Sequence, residues 1–165
     1  MSGTRRRSYE SGHTPKYLVI VDGTPESDRA IVFASRRASR IGGGMVMVAI
    51  TDNSEFHHWL GVGNIMREEA EQAAAELLDK AASRSQDVAG INPEKIIRTG
   101  NRADEIKALI NEDEDIAFLV LAASSDSEGP GPLVTLLASS AAGTFPVPVV
   151  IVPGDMSDEE ISALA

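Results

Sequence analysis

Five short apolar runs, none of them carrying a charge, set the terms on which this chain can fold. They are Tyr17–Val21, Met45–Ile50, Ile96–Ile97, Ala117–Ala123 and Pro146–Val152. A strand with one wet face alternates apolar and polar residues, whereas a run that is apolar throughout needs cover on both faces. Between the runs the period changes to three and four. Ala30, Phe33, Ala34, Ala38 and Ile41 predict a helix from Ser27, stopped at Gly42-Gly43-Gly44. A second helix is predicted over Ile65–Ser83, with Ala73, Leu77, Leu78 and Ala81 on one side. A third follows Asn101, an N-cap with Asp104 placed to bond back, and buries Ile106, Leu109 and Ile110. A fourth is predicted from Pro132 to Ala142, since proline suits the first helical turn. Strand and helix therefore alternate from end to end. That order predicts one α/β domain, a doubly wound five-stranded parallel sheet with helices on each side.

A length of 165 residues fits one domain and buries a core without metal or disulfide staples. The domain is expected over residues 16–154. Residues 155–165 form an acidic tail or a short helix. Arg5-Arg6-Arg7 would need an apolar stretch of about 7–15 residues after it to be a targeting signal. Ser8–His13 is polar instead, so residues 1–15 are expected as a disordered basic tail. Acidic residues outnumber basic ones by 25 to 15, a net charge of −10, which repels nucleic acid and anionic lipid. No segment approaches the about 18 apolar residues of a membrane span. The chain has no cysteine. Thiol catalysis, disulfides and cysteine-bound metal are thereby excluded, and the cytoplasm is the expected compartment.

In an open parallel sheet, ligands bind beyond the carboxyl ends of the strands. The segments to inspect are Asp22-Gly23-Thr24, Ile50–Asp52, Gly100-Asn101 and Ala122–Ser125. None carries a dinucleotide loop: Asp22-Gly23-Thr24-Pro25 follows the first strand, and Gly61-Val62-Gly63 lacks both the third glycine and a preceding strand. No phosphate loop of the G-x-x-x-x-G-K type occurs, nor a nucleophile elbow around Ser124, Ser125, Ser139 or Ser140. A response-regulator phosphoacceptor would need an aspartate ending the third strand, where Thr99-Gly100 stands. His57-His58 beside Glu55 point about 100° apart on a helix and lack further ligands, so no metal site is expected. Trp59 is expected to pack under the connection spanning Asp52–Asn64 or at a partner surface. No catalytic residue is nominated.

The remaining residues add up to a family. Val19-Ile20-Val21-Asp22-Gly23-Thr24, then Val46–Ile50 and Thr51-Asp52, resemble the opening of universal stress proteins. Gly100-Asn101-Arg102-Ala103-Asp104-Glu105-Ile106 and the closing Phe145–Val152 are similar to later segments of that family. The resemblance covers about residues 16–153. It implies an adenine-nucleotide α-hydrolase-like fold and a homodimer through the last strand, Val147–Val152. It also implies a stress-response role, a possible ligand in ATP or AMP with Mg, and an unidentified protein partner.

ATP-binding members of that family carry G-x2-G-x9-G-[ST] after the fourth strand, where bare glycines let backbone amides close on phosphate. Without gaps, those positions here hold Ala122, Ser125, Thr135 and Leu136. A shifted frame, Asp126-x2-Gly129-x9-Ser139-Ser140, recovers one glycine and a serine. Either way the cradle is altered, and Asp126 and Glu128 add negative charge. Gly129-Pro130-Gly131-Pro132 offers a different anion nest. Asp22 matches the family's base- and ribose-contacting aspartate, though it could equally bond its own turn. The resemblance also implies that the Ile50 backbone would meet an adenine. The candidate nucleotide-binding residues are therefore Asp22, Gly23, Thr24, Ile50, Gly100, Ala122, Ser124, Ser125 and Thr135. The leading expectation is a protein that acts by dimerisation and binding, without the usual ATP site. The alternative is an adenine-nucleotide sensor or weak ATPase with a divergent loop, and a third is an unrelated α/β enzyme.

Overall fold

The structure, a computed structural model, describes residues 3–52 and 63–165. Strands β1 (Lys16–Ile20), β2 (Gly44–Thr51), β3 (Glu94–Thr99), β4 (Ile116–Ala123) and β5 (Val149–Pro153) form one parallel sheet in the order β3-β2-β1-β4-β5. The strand order reverses at β1, between β2 and β4, and this is where a crevice opens at the strands' carboxyl ends.

Both faces of the sheet are covered, as the uninterrupted apolar runs require. Tyr17, Val19, Met45, Met47 and Val120 point to one core, under α1 (Ser27–Ile41) and α2 (Gly63–Ala89). Leu18, Ile20, Val46, Val48, Leu119 and Leu121 point to the other. That second core is closed by α3 (Arg102–Glu112) and α4 (Pro132–Leu137). Helix α3 buries Ile106, Leu109 and Ile110, and Asn101 caps it by accepting from the Asp104 amide at 3.1 Å. Helix α1 ends at Gly42, whose left-handed φ of 66° lets it close the last turn.

Several boundaries differ from the sequence expectation, and β3 runs over Glu94–Thr99 rather than Ile96-Ile97 alone. Helix α4 stops at Leu137, not Ala142, and a 3-10 turn follows over Ser140–Thr144. The stretch after Leu137 offers only small side chains to bury, and Phe145 before Pro146 is held extended. Strand β5 pairs from Val149, since Pro146 and Pro148 bring no amide to the ladder; Val147 is buried in the core rather than on the edge. Helix α2 runs on to Ala89, where Gly90 turns left-handed at φ 68°. The residues around His57, His58, Trp59 and Gly61 lie outside the described segments.

Both terminal segments, as far as they are described, are tied to the domain. The arm expected as a loose tail lies on the acidic end of α3. The Arg7 amide donates to the Glu114 carbonyl at 3.0 Å, and Arg6 Nη1 donates to the Asp113 carbonyl at 2.9 Å and the Ile116 carbonyl at 3.3 Å. His13 Nδ1 lies 2.6 Å from Asp115 Oδ1. At the other end, the acidic segment forms α5 (Asp158–Leu164), capped by Ser157 and anchored by the buried Ile161. No helix among the described residues is long and apolar enough to cross a membrane.

Candidate functional site

The carboxyl ends of four strands meet around the crevice: Asp22 follows β1, Ile50 and Thr51 end β2, Gly100 follows β3, and Ala122 lies at the end of β4. Asp22 divides its carboxylate between two tasks. Its Oδ1 accepts from the Thr24 amide at 3.0 Å and the Thr24 hydroxyl at 2.6 Å, an Asx turn closed on its own loop. Its Oδ2 faces Arg102 Nη1 at 4.0 Å. Gly23 between them takes φ 77° and packs towards Leu77. On the neighbouring strand ends, Thr51 and Thr99 hydroxyls meet at 2.9 Å, and the Gly100 amide donates to the Thr51 carbonyl at 2.9 Å.

The crevice has an inner hollow and a shallower lobe. The inner hollow lies over Ile20 and Ala122, roofed by Gly131 and Pro132, and holds about 160 Å³. That is below the about 300 Å³ at which drug-sized ligand pockets begin. The lobe spreads from Asp22 over Ile50 and Asp52 to Met66 and Leu77 on α2, at about 510 Å³. Asp22 and Arg102 line both. Of the nominated residues, Asp22, Thr24, Ile50, Gly100 and Ala122 thus line this connected space. Gly23 lines a separate hollow between α1 and α2, which Thr24 shares.

Ser124 and Thr135 stand apart, around a third hollow between the loop after β4 and α4. Ser125 is exposed on that loop. The loop is bonded to itself. The Ser124 amide donates to the Pro130 carbonyl at 3.1 Å, the Asp126 amide to the Ser124 hydroxyl at 3.2 Å, and the Gly129 amide to the Asp126 carbonyl at 3.1 Å. Its left-handed positions are Gly129, at φ 104°, and Gly131, at φ 111°, and no non-glycine among the described residues has positive φ. Ser125 and Thr135 therefore sit in ordinary backbone regions, without left-handed strain. Thr135 sits inside α4 with its hydroxyl donating to the Gly131 carbonyl at 2.9 Å. Glu26, Asp126 and Glu128 line the same hollow, so its charge is negative.

Sequence reasoning did not nominate Arg102, Glu26 or Pro132. Arg102 follows the inspected pair Gly100-Asn101 by one position, which was the available signal. Pro132 entered only as the end of the Gly129-Pro130-Gly131-Pro132 nest, and Glu26 carries no motif. Among the described residues no group of three or more histidine, aspartate or glutamate side chains is arranged to hold a metal ion.

The sequence profile of the Universal stress protein family matches residues 14–153. Among solved structures, UspA from Lactobacillus plantarum aligns with a TM-score of 0.68 at 20% identity, covering 84% of this chain and 97% of its own. A universal stress protein in complex with cAMP aligns at 0.60 and 17% identity, covering 86% and 98%. One from Archaeoglobus fulgidus in complex with dAMP aligns at 0.55 and 16%, covering 84% and 97%. No significant match was found among curated proteins. A profile match across nearly the whole domain, on a five-stranded parallel sheet of the same fold, makes this stress-response chain a member of the universal stress protein family.

Proposed function

We propose that this protein acts by binding, taking a small ligand in the crevice and a second copy along β5, without cradling a triphosphate. The observation that carries this reading is the loop after β4. Three of its amides are engaged within the loop, and carboxylates of Asp126 and Glu128 line the hollow in front of it. Backbone amides that already donate cannot also hold phosphate, and like charge opposes it. The cytoplasm is the proposed setting, which a chain without cysteine suits. Calorimetric titration with ATP and Mg²⁺ tests the reading. The expected result is no saturable binding at micromolar concentrations and no ATP turnover. Stoichiometric ATP held by main-chain amides between Ala122 and Leu136 would overturn it.

The dimer rests on the two sheet edges. β3 carries Glu94, Lys95 and Arg98, charges that discourage pairing. β5 carries none, and Ile151 on it is 38% exposed. Ile151→Lys should convert a dimer to a monomer by light scattering; a monomeric wild type would refute this part.

A second reading, an adenine-nucleotide site using the divergent loop, is favoured by Arg102, a cation facing the crevice. Relatives of the same fold hold cAMP and dAMP, each with a single phosphate. This reading predicts that AMP raises the melting temperature, since ligand at a hundred times its dissociation constant adds about 2.7 kcal/mol.

A further inference from the structure

Among the described residues, a single cation stands in a crevice whose lining also carries the carboxylates of Asp22, Glu26, Asp52 and Glu69. Arg102 lines the inner hollow, the lobe over Ile50, and a shallow extension at Gly100 and Asp52. Among the described residues lining these three spaces it is the one basic side chain. Its ion pair with Asp22 is loose, at 4.0 Å, and the Arg102 side chain is 47% exposed. Asp22 meanwhile keeps its two Thr24 bonds on the other oxygen. Arg102 can therefore swing to a new anion without stranding a buried carboxylate. Past Gly131 and Pro132 the carboxylates continue without that cation. The hollow there is lined by Glu26, Asp126 and Glu128, with no basic side chain among its described lining residues.

We propose that Arg102 makes this crevice selective for an adenine nucleotide carrying one phosphate, over both the bare nucleoside and the triphosphate. The inference rests on the adenine-nucleotide reading and names the ligand class of that site. A guanidinium presents a planar fork of donors that matches phosphate oxygens two at a time, and such charge-assisted bonds are the stronger ones. One phosphate on Arg102 gains that fork. A longer phosphate chain reaching past Pro132 meets three carboxylates, and the loop amides at Ser124, Asp126 and Gly129 already donate elsewhere. Further phosphates add repulsion there and gain no partner from those amides.

The test uses the full chain at low salt, with adenosine, AMP and Mg-ATP titrated by calorimetry into wild type, R102Q and R102K. In the wild type AMP should bind about tenfold to a hundredfold tighter than adenosine, and ATP no tighter than AMP. Raising the salt should shrink the AMP preference and leave adenosine unmoved. In R102Q the ratio of AMP to adenosine affinity should fall to about one, while R102K, which keeps the charge but loses the fork, retains part of it. Melting each variant without ligand separates a folding defect from a lost phosphate contact. A ratio unchanged in R102Q, or ATP binding tighter than AMP, would overturn the proposal. Equal binding of adenosine and AMP to the wild type would overturn it too, yet leave the adenine reading standing. Binding of none of the three would sink both.

Discussion

Replacing Arg84 with methionine should loosen α5 from the rest of the domain, by an amount that depends on salt and pH. Arg84 donates to both oxygens of Asp28, at 3.0 and 3.2 Å, and to both of Asp158, at 3.2 and 2.9 Å. It thereby links α2 to α1 and to the first turn of α5. Arg29 closes the cluster, reaching Asp158 at 2.7 Å and donating to the Met156 carbonyl at 2.8 Å. Methionine keeps most of the aliphatic stem, so charge is the main loss. The Asp28 and Asp158 side chains are 37% and 50% exposed, which places each pair in the weak, solvent-screened regime. The two pairs together are worth about 1 kcal/mol, lowering the melting temperature by about 2–4 °C. In 1 M salt the screening length shrinks to about 3 Å, and the gap to wild type should narrow.

The pH dependence has a definite sign. Burial pushes the Asp28 carboxyl up, but hydrogen bonds from Arg84 and Arg29 outweigh it and hold the group below its ordinary 3.8. Asp158 is held below 3.8 by the hydrogen bond from Arg84 and then that from Arg29. A carboxylate depressed in the folded state stabilises the fold above its unfolded value, and that stabilisation is lost as pH falls through the folded one. The difference between wild type and R84M should be full at neutral pH and fade below about pH 3.8. Melting curves by circular dichroism at pH 7 and pH 3, in low and high salt, measure it. A deficit that stays the same under all four conditions would assign Arg84 a packing role and refute the electrostatic account.

Two further predictions concern polar contacts away from the crevice. Ser35 and Ser85 are fully buried, with hydroxyls 2.7 Å apart between α1 and α2, and Ser35 also donates to the Ile31 carbonyl at 2.6 Å. Ser85→Ala leaves Ser35 that carbonyl and should cost about 1 kcal/mol, whereas Ser35→Ala leaves Ser85 with the weak Met45 sulfur and should cost about 1–3 kcal/mol; urea midpoints in the reverse order would contradict this. Arg6→Ala removes a donor from the Asp113 and Ile116 carbonyls, so amides near the end of α3 should exchange hydrogen faster. Unchanged protection at Asp113–Ile116 would show that the arm does not brace this turn.

What the sequence discloses here depends on how local the cause is. The inner strands β1, β2 and β4 were legible because burial on both faces leaves little room for polar residues, whereas the edge strand β3, with Glu94, Lys95 and Arg98, disclosed only Ile96-Ile97. The cap on α3 was legible because Asn101 and Asp104 are three residues apart and need nothing else. The N-terminal arm was not, because its partners sit more than a hundred residues away. Nothing in Arg5-Arg6-Arg7 alone says that the acidic run Glu112–Asp115 is waiting for it. The same holds for the end of α4, where a run of small residues is compatible with helix until the following prolines and the β5 register settle it.

The crevice shows the limit most sharply at Asp22. Read along the chain, a turn residue and a ligand contact are rival roles for it. In the folded structure its two oxygens separate them, Oδ1 closing the turn with Thr24 and Oδ2 left towards Arg102. Arg102 arrives there from the strand two places across the sheet, since β3 is divided from β1 by β2. Its distance from Asp22 is set by strand order, which no spacing in the sequence records. A glycine signature can report that a triphosphate cradle has been altered. It is silent on which charges remain to meet a smaller anion, and here a single guanidinium stands among carboxylates on one side of Pro132, with carboxylates and no cation among the described lining residues on the other.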